Sequence, residues 1–535
     1  MPGYFGGPDP DSFIGTASAD IFFGGGGYDT FYGVGGSDEM YAGDDGALMY
    51  GGADGDTIFF YGDIDNENGY GDAGNDTFNV VDGVNDNDSI YGGDGVDSVY
   101  FYGRENYVID LVNETVRPMF NSTGSADISG IEYIYGGDGA EEFVGSDNAD
   151  HFYAGIGQDV LYGGAGYDYL YGGFGYDYLR AGADGGYLDG GASNDTFSSY
   201  GAIDHEDMYG GRDDDIFYVD VGINAEDDFY GGDGVDTFRF SSSAPNNAVV
   251  ADLDAGTINY RYGGFSQDVD LVGFEIILTT PGNDIVIGNA SNNTISSGDG
   301  DDILYGGDGA DTIFGGMGND TISGGAGADR LYGYSQYTTS NGGMDILDYS
   351  GSNAAVTISL ATETASGGHA TGDRIDGFSG VIGSAYNDRL IGNHADNQFQ
   401  GGAGNDVFLG YNGGDRLDGG TGRDVIYSGN GSDVIVYTDL GDSTLLFAGR
   451  DRIQDFQNGV DRFDLSAIDA DTATAGDQAF TYVDGSFTGV AGQLRSWETA
   501  GLTFIEGDVN GDRIADFRIE LLGTGLGIDM GDFIF

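Results

Sequence analysis

The feature that most constrains this chain is an aspartate or asparagine that recurs every nine residues. The clearest series consists of Asp284, Asn293, Asp302, Asp311, Asp320 and Asp329, followed two places later by Val286, Ile295, Leu304, Ile313, Ile322 and Leu331. A glycine-rich turn such as Gly306-Gly307-Asp308-Gly309-Ala310-Asp311 precedes each aliphatic residue. Nine residues are too few for a helix and its return, but they accommodate a turn and a short strand.

Stacking these repeats predicts an all-β fold, a parallel β-roll. Two nonapeptides would form one flattened coil, so that alternate repeats lie above one another about 4.8 Å apart. The aliphatic residues would point inward, and the aspartates would align in two columns. Carboxylates at about that spacing repel by roughly 1 kcal/mol per pair even in water. Because Ca²⁺ accepts about six to eight oxygen ligands and removes this repulsion, calcium is predicted to be part of the fold.

The same register recurs in further blocks, which gives a set of candidate calcium ligands. One block starts at Asp20, with Ala47 in place of an aspartate, and another starts at Asp150, with Gly186 as its exception. The last block starts at Asp388. The candidate ligands are the aspartates that close glycine turns: Asp29, Asp76, Asp97, Asp159, Asp168, Asp177, Asp236, Asp302, Asp311, Asp320, Asp329, Asp406, Asp415, Asp424 and Asp433.

Three similar segments separate the blocks, at residues 98–149, 237–283 and 346–387. Each contains an alternating, strand-like stretch such as Tyr107-Val108-Ile109-Asp110-Leu111, which indicates a coil that carries an insertion. The predicted organisation is a degenerate roll plus first insertion at 1–149, second and third rolls with insertions at 150–283 and 284–387, a fourth roll at 388–454, and a β-rich cap at 455–535.

Composition excludes several classes of function. The chain has 17 basic and 91 acidic residues, a formal charge of −74, which disfavours nucleic acid and anionic membranes as partners. Aromatic residues make up 13% of the chain, too many for a solvated disordered tail. Cysteine is absent, which excludes disulfides and cysteine-based zinc sites. No apolar run is long enough to span a membrane, and residues 1–13 lack the features of a secretory signal peptide.

The nonapeptide blocks resemble the RTX family of calcium-binding exported proteins. The segments Asp455-Phe456, Gly459-Val460-Asp461 and Gly507-Asp508-Val509-Asn510-Gly511-Asp512 resemble the C-terminal domain of serralysin metalloproteases. These resemblances imply a β-rich cap, an uncleaved C-terminal signal for type I secretion, and a secreted, extracellular or cell-surface location. The ending Asp532-Phe533-Ile534-Phe535 has the acidic-then-apolar character of such signals.

The resemblance does not extend to the protease. Serralysins hold zinc with two histidines one helical turn apart plus a third; here His205-Glu206 begins like that motif, but Tyr209 stands where the second histidine must be. Neither a G-x-S-x-G elbow nor a phosphate-binding P-loop occurs in the sequence. The prediction is therefore a protein that is not an enzyme. Asp508 to Asp516 form either a separate cation loop or a tight hairpin turn.

Tyrosine often follows the inward aliphatic residue, as at Tyr162, Tyr171, Tyr209, Tyr230 and Tyr305. That position should face outward, so rings from alternate repeats should stack. The stack would either stiffen the sheet through cross-strand contacts or form an exposed stripe for lateral assembly or glycan binding.

Three functional hypotheses follow. The preferred one is a secreted calcium-dependent structural protein of the cell surface or extracellular matrix, such as a surface layer, fibre or adhesive scaffold. It would fold on binding calcium after type I export and self-associate into a fibre or sheet. The alternative is a calcium-stabilised module that binds polysaccharide or a cell-surface partner through the insertions. The third is an enzyme with an unrecognised carboxylate site.

Overall fold

A computed structural model describes the chain except for residues 62–65, 82, 86, 121–124, 200–204, 220–222, 224–225, 241–247, 262–267, 337–342, 473, 475 and 477. Parts of the second predicted insertion therefore lie outside the described residues. Apart from three short 3₁₀ helices at Gly368–Ala370, Phe447–Gly449 and Met530–Asp532, its regular elements are β-strands. The predicted all-β parallel roll is confirmed.

The strands are numbered β1 to β56 in chain order. Strands β1 to β15 lie at Gly3–Phe5, Ser12–Ile14, Ile21–Phe23, Asp29–Tyr32, Glu39–Tyr41, Ala47–Ala53, Thr57–Phe60, Glu67–Ala73, Thr77–Val80, Ser89–Asp94, Ser98–Phe101, Tyr107–Asp110, Thr115–Pro118, Ala126–Ser129 and Tyr133–Tyr135. Strands β16 to β30 lie at Glu142–Val144, His151–Gly157, Val160–Tyr162, Asp168–Gly175, Tyr178–Arg180, Gly186–Ala192, Thr196–Ser198, Glu206–Arg212, Ile216–Val219, Asp228–Asp233, Thr237–Phe240, Ala248–Asp252, Thr257–Arg261, Asp268–Val272 and Ile276–Leu278.

The remaining strands are also short. Strands β31 to β43 lie at Ile285–Ile287, Thr294–Asp299, Ile303–Gly309, Thr312–Met317, Thr321–Gly327, Arg330–Tyr332, Ile346–Asp348, Thr357–Ser359, Thr364–Ser366, Arg374–Asp376, Gly380–Ile382, Arg389–Ile391 and Gln398–Gln400. Strands β44 to β56 lie at Ala403–Gly404, Val407–Leu409, Arg416–Asp418, Thr421–Gly422, Val425–Tyr427, Val434–Val436, Arg452–Ile453, Arg462–Asp464, Thr481–Tyr482, Gln493–Thr499, Leu502–Asp508, Phe517–Leu522 and Phe533–Ile534.

The chain divides into two compact units. Unit 1 comprises Met1–Ala244 and Ala255–Ile276, and unit 2 comprises Pro245–Asp254 and Ile277–Phe535. In the regular coils of each unit, successive strands alternate between two sheets, and a strand pairs in parallel with the strand two places later. In unit 1, β17 pairs with β19 with Phe152 opposite Leu170; in unit 2, β33 pairs with β35 with Leu304 opposite Ile322. The two-nonapeptide coil is therefore confirmed by register.

The core of each coil is the thin layer of residues predicted to point inward. Val286, Ile295, Leu304, Ile313, Ile322 and Leu331 all have 0% exposure. Many strands are longer than the three residues predicted, because the turn glycines also pair. In β33, for example, the ladder continues through Gly307 opposite Gly325. The turn is thus stacked almost as regularly as the strand.

The insertions lie within the sheets as antiparallel strands. In unit 1, the strand order across the first insertion is β10, β14, β13, β12 and β16. The pairs β10–β14 and β12–β16 are parallel, and the pairs β14–β13 and β13–β12 are antiparallel. In unit 2, β36, β40, β39, β38 and β42 repeat this order. The alternating stretches predicted to be strands are confirmed at β12, β27 and β38.

The C-terminal part of unit 2 ends the roll. Strands β53, β54 and β55 form an antiparallel meander, and β55 pairs in parallel with the coil strand β50. The terminal strand β56 pairs with β51 of the last coil, with Phe533 opposite Phe463. Glu506 at the centre of the meander contacts Arg518 and also Arg495, at 2.6 Å in the latter case. The described helices include none that is long and apolar enough to cross a membrane.

The burial pattern predicts the effect of core truncation. Leu304→Ala should lower the free energy of unfolding of the calcium-loaded protein by about 2–5 kcal/mol, because it leaves a cavity in a fully packed layer. The adjacent Ile303→Ala, at a position 38% exposed, should change it by less than about 0.5 kcal/mol. Urea unfolding in saturating calcium measures both. Equal losses for the two variants would contradict the inward and outward assignment.

Candidate metal sites in the aspartate columns

The aspartates predicted as ligands lie in two stacked columns in each unit, one coil apart. In each of the fifteen, Oδ1 accepts a hydrogen bond from the backbone N–H of the corresponding residue one coil earlier, at 2.7–3.0 Å. For example, the N–H of Asp302 donates to Asp320, and the N–H of Asp311 donates to Asp329. The carboxylates therefore join each coil to the next.

The second oxygen of each carboxylate has no such partner. Among the residues that the structure describes, Oδ2 is buried without a hydrogen bond in Asp29, Asp76, Asp97, Asp159, Asp168, Asp177, Asp236, Asp302, Asp311, Asp320, Asp329, Asp406, Asp415, Asp424 and Asp433. A buried, unsatisfied carboxylate oxygen is costly unless a proton or a cation compensates it. All fifteen sequence-predicted residues share this state.

Glycine creates the space around these oxygens. A Cβ on Gly306 would come within 2.3 Å of Asp311 Oδ2 and 2.5 Å of the carbonyl oxygen of Gly324, one coil later. A Cβ on Gly401 would likewise come within 2.5 Å of Asp406 Oδ2 and 2.6 Å of the Gly419 carbonyl oxygen. A carboxylate oxygen and a backbone carbonyl therefore converge beside each such glycine. Oxygen donors of this kind suit Ca²⁺.

The electrostatic environment opposes ionisation of the columns without a cation. Burial, together with the charge of neighbouring column carboxylates, raises the pKa of Asp168, Asp195 and Asp320 to about 8, against the lowering effect of the backbone hydrogen bond. Burial likewise raises the pKa of Asp311 and Asp415 to about 7. At neutral pH the aspartates therefore need either a proton or a positive charge beside them.

The coils that open a block differ from the rest. Asp150 Oδ2 accepts the backbone N–H of Ser146 at 2.6 Å, and Asp388 carboxylate oxygens accept the N–H and hydroxyl of Ser384. A serine thus replaces the second glycine of the turn and satisfies the oxygen from within the chain. These aspartates were not among the predicted ligands, and their hydrogen bonding separates them from the fifteen.

Sequence reasoning missed some members of the columns. Asp38, Asp56, Asp195, Asp215 and Asp451 have the same buried Oδ2 without a hydrogen bond. Their turns depart from the glycine pattern, but all except Asp215 keep a nine-residue register with a neighbouring aspartate of the block. Register alone, without the requirement for a clean glycine turn, would have found most of them.

The described residues contain no group of three or more His, Cys, Asp or Glu side chains that could hold a metal ion. This agrees with the geometry of the columns, because a turn places one column carboxylate beside a backbone carbonyl, as Asp311 and Gly324 do. A cation there would draw most of its ligands from the main chain.

The four histidines do not form a centre of zinc-protease type in the described structure. His205 lies before β23 with Nε2 3.4 Å from an Asp207 oxygen, and His394 Nδ1 lies 2.8 Å from Asn412 Nδ2. His369 lies in a 3₁₀ helix and His151 in β17. The Asp508–Asp516 stretch is the turn between β54 and β55, where Asp508 oxygens accept the N–H groups of Gly511 and Arg513.

Comparison with known proteins settles the nature of the repeats. A sequence model of the RTX calcium-binding nonapeptide repeat matches residues 5–40, 78–103, 135–170, 278–313, 305–336, 381–408 and 409–444. These are RTX calcium-binding repeats. Residues 455–535 lie outside the matched ranges, so their likeness to the serralysin C-terminal domain stays a prediction. The finer division into five segments also stays a prediction.

Two solved structures are similar to parts of the chain. Both are solution structures of repeat subunits of an Azotobacter vinelandii mannuronan C5-epimerase. The AlgE6R3 subunit shares 27% identity over 28% of this chain and 78% of its own, with a TM-score of 0.23. The AlgE6R2 subunit shares 24% identity over 29% of this chain and 91% of its own, also with a TM-score of 0.23. A search of curated proteins finds no match.

A charge-removing substitution in a column should have opposite effects with and without calcium. Asp320→Asn keeps a side-chain oxygen that can accept the backbone N–H of Asp302, as Asp320 Oδ1 does. In calcium the variant should lose about 1.4 kcal/mol of unfolding free energy, the contribution of one site at ten times its dissociation constant. In chelator it should be more stable than the wild type, because a buried charge is gone. Calcium titrations followed by circular dichroism measure both effects.

Glu363→Gln provides the matched control, since it removes one charge at an exposed turn of the same unit. It should leave the calcium midpoint unchanged. A loss of stability for Asp320→Asn in both conditions would show that the carboxylate is held by contacts within the chain.

Acid should partly replace calcium. The pKa is raised to about 6 in Asp159, Asp236 and Asp302, to about 7 in Asp177, and to about 8 in Asp168 and Asp320. Because an aspartate in an unfolded chain has a pKa of about 3.9, the folded state binds more protons between these values. Its stability is therefore highest below about pH 4 and is lost as the pH rises to about 8. In chelator, the chain should be more compact and richer in β-structure at pH 5 than at pH 8, as measured by X-ray scattering and circular dichroism. The reverse trend would contradict the burial of the columns.

Proposed function

We propose that this protein is a secreted calcium-dependent scaffold that folds when calcium fills the aspartate columns outside the cell. The observation that supports this proposal is the state shared by the fifteen aspartates: one oxygen bonds to the preceding coil, and the other is buried with no hydrogen bond. The proposed ligands are these Oδ2 atoms and the turn carbonyls beside them. Calcium supplies the positive charge that allows the columns to remain ionised.

Calcium binding at many equivalent positions would act as a folding switch. Each site at ten times its dissociation constant adds about 1.4 kcal/mol to stability. A dozen such sites would exceed the about 5–15 kcal/mol that stabilises an ordinary domain. Extracellular calcium modules bind at about 10⁻⁴ to 10⁻³ M. The chain would therefore stay unfolded where calcium is scarce, pass through a type I exporter, and fold outside.

The secondary structure of the described residues supports a scaffold role. Its strands belong to coils, to insertion strands within the sheets, or to the C-terminal meander, and the zinc-protease motif is incomplete. The ends and edges of a solenoid favour association with a second copy unless they are capped. We propose assembly into a fibre or sheet through such ends and edges.

The experiment is a calcium titration of the purified full-length chain, starting from chelator. Circular dichroism and X-ray scattering should show an expanded chain that becomes a compact β-protein at millimolar calcium, and electron microscopy should then show fibres or sheets. Magnesium at the same concentration is the control, since it is smaller and prefers rigid octahedral sites that keep water.

The outcomes separate the two parts of the proposal. A complete β-spectrum in excess chelator would contradict calcium-dependent folding. A calcium-folded protein that stays monomeric at high concentration in light scattering would leave the switch intact but contradict the assembly role.

A further inference from the structure

One face of unit 1 carries an unusual density of outward aromatic rings. Strands β15, β17 and β19 are neighbours in one sheet. Each has one buried core residue, and the residues immediately before and after it point outward. All six of these outward positions are aromatic. We define the aromatic face as Tyr133, Tyr135, His151, Tyr153, Tyr169 and Tyr171. Each of the six is partly exposed.

The rings stack in two parallel rows. In one row the centroid of His151 lies 4.3 Å from Tyr133 and 4.5 Å from Tyr169. In the other row Tyr153 lies 4.6 Å from Tyr135 and 4.5 Å from Tyr171, with interplanar angles of 10° and 3°. The flat faces of the rings are therefore covered by one another. The parts that remain for a partner are the ring edges and the phenol hydroxyls.

The second row continues beyond the aromatic face. Tyr100 stacks on Tyr135 at 4.2 Å, which extends this row by one coil. In the coil after Tyr171 the row position is Asp189, and Tyr187 lies in the other row. Ring contacts nevertheless continue from Tyr171 to Tyr187, Tyr209 and Tyr230 at 5.5, 5.1 and 4.9 Å. At about 4.8 Å per coil, this series of ring contacts is about 29 Å long.

The fold does not require aromatic residues at these positions. In unit 2, coils with the same buried core and the same aspartate columns have Ser323, Gln400 and Asp418 at the position that corresponds to Tyr153. The central residues beside them, Ile322, Phe399 and Leu417, are at most 1% exposed. Coil formation therefore does not need the tyrosine rows, which leaves these rings available for another role.

The aromatic face is uncharged on a strongly acidic protein. None of its six positions carries a carboxylate, while the chain as a whole has a formal charge of −74. Burial lowers the pKa of His151, so its ring is neutral at neutral pH. Burial raises the pKa of Tyr135 and Tyr171 to about 12, so both phenols keep their protons. The surface offers neutral hydroxyl groups in a regular row.

We propose that the aromatic face binds a chain of neutral polysaccharide laid along the tyrosine row. Tyrosine edges present both an apolar ring rim and a hydroxyl, the combination that suits a partner rich in hydroxyls and C–H groups. The series of ring contacts, about 29 Å long, fits an extended polymer better than a single small molecule. An anionic polymer would meet repulsion from the acidic chain.

A second copy of the protein fits this face less well. The strands that follow, β21, β23 and β25, place Asp189, Asp207 and Asp228 in the same outward rows. Face-to-face packing of two copies would bring such carboxylates towards one another and desolvate them. A neutral polymer introduces no charge. The polysaccharide would be a partner of the scaffold proposed above. This inference rests on the proposed function in one respect: calcium must keep unit 1 folded.

The test is adsorption of the full chain to microcrystalline cellulose, used as the neutral probe, in calcium buffer. The wild type should adsorb saturably. The triple variant Tyr135→Ser, Tyr153→Ser and Tyr171→Ser should bind at least about tenfold more weakly, because serine occupies this position in unit 2 without disturbing the coil. The matched control is Tyr305→Ser, Phe314→Ser and Tyr332→Ser, which removes three outward rings from unit 2 and should bind as the wild type does.

A second variant keeps the proposal falsifiable if the serine variant folds poorly. Changing the same three tyrosines to phenylalanine retains the stacked rings and removes only the hydroxyls, and should weaken adsorption severalfold. Circular dichroism in calcium checks that every protein is folded, so that loss of cellulose binding is distinguished from failure of calcium-dependent folding.

Several results would overturn the proposal. These are absence of adsorption by the folded wild type, equal adsorption by the wild type and both aromatic-face variants, and preferential binding to the anionic polymer alginate. A further contrary result is a dimer in sedimentation velocity that the serine variant abolishes, because it would assign the face to a second copy.

Discussion

The hydrogen bond between a column aspartate and the backbone of the preceding coil is the interaction on which the rest of this structure depends. It sets the register between coils and fixes one carboxylate oxygen. It also buries the other oxygen beside a glycine and a carbonyl from the next coil. Because the bond repeats at most steps of the columns, the carboxylates cannot move apart to relieve their repulsion. The fold therefore concentrates negative charge along two lines and requires a compensating cation or proton.

This arrangement explains how a chain with a charge of −74 can form a compact β-structure. The apolar layer in each coil is one residue deep, as at Leu304 and Ile313, so burial of apolar surface alone gives each coil little stability. Cation binding adds a contribution at each turn instead of one large contribution at a single core. The stability of the roll should consequently scale with the number of filled turns, as expected for a quasi-one-dimensional repeat protein.

The two units have the same kind of buried core and aspartate columns but differ in their outward residues. The inward residues and the columns are dictated by the coil, whereas the outward positions are free to vary. Unit 1 places Tyr153 where unit 2 places Ser323. The repeat thus separates the residues that hold the fold from the outward residues, where the proposed recognition would take place.

The sequence was sufficient to predict the coil, its inward residues and the fifteen candidate ligands, because the nine-residue register specifies them directly. It also predicted outward stacking, as Tyr153 and Tyr171 confirm. It did not reveal the backbone hydrogen bond of each Oδ1, because that contact joins residues one whole coil apart. The antiparallel course of the insertions was also missed, since the alternation at Tyr107–Asp110 indicates a strand but not its partner. Whether the fifteen aspartates hold calcium stays a prediction.

The most direct measurement is anomalous X-ray diffraction from crystals grown in calcium. The account predicts anomalous peaks in both columns of each unit, about 2.3–2.6 Å from the Oδ2 atoms and the turn carbonyls. A well-ordered roll with ionised aspartates and no calcium peaks along the columns would contradict it.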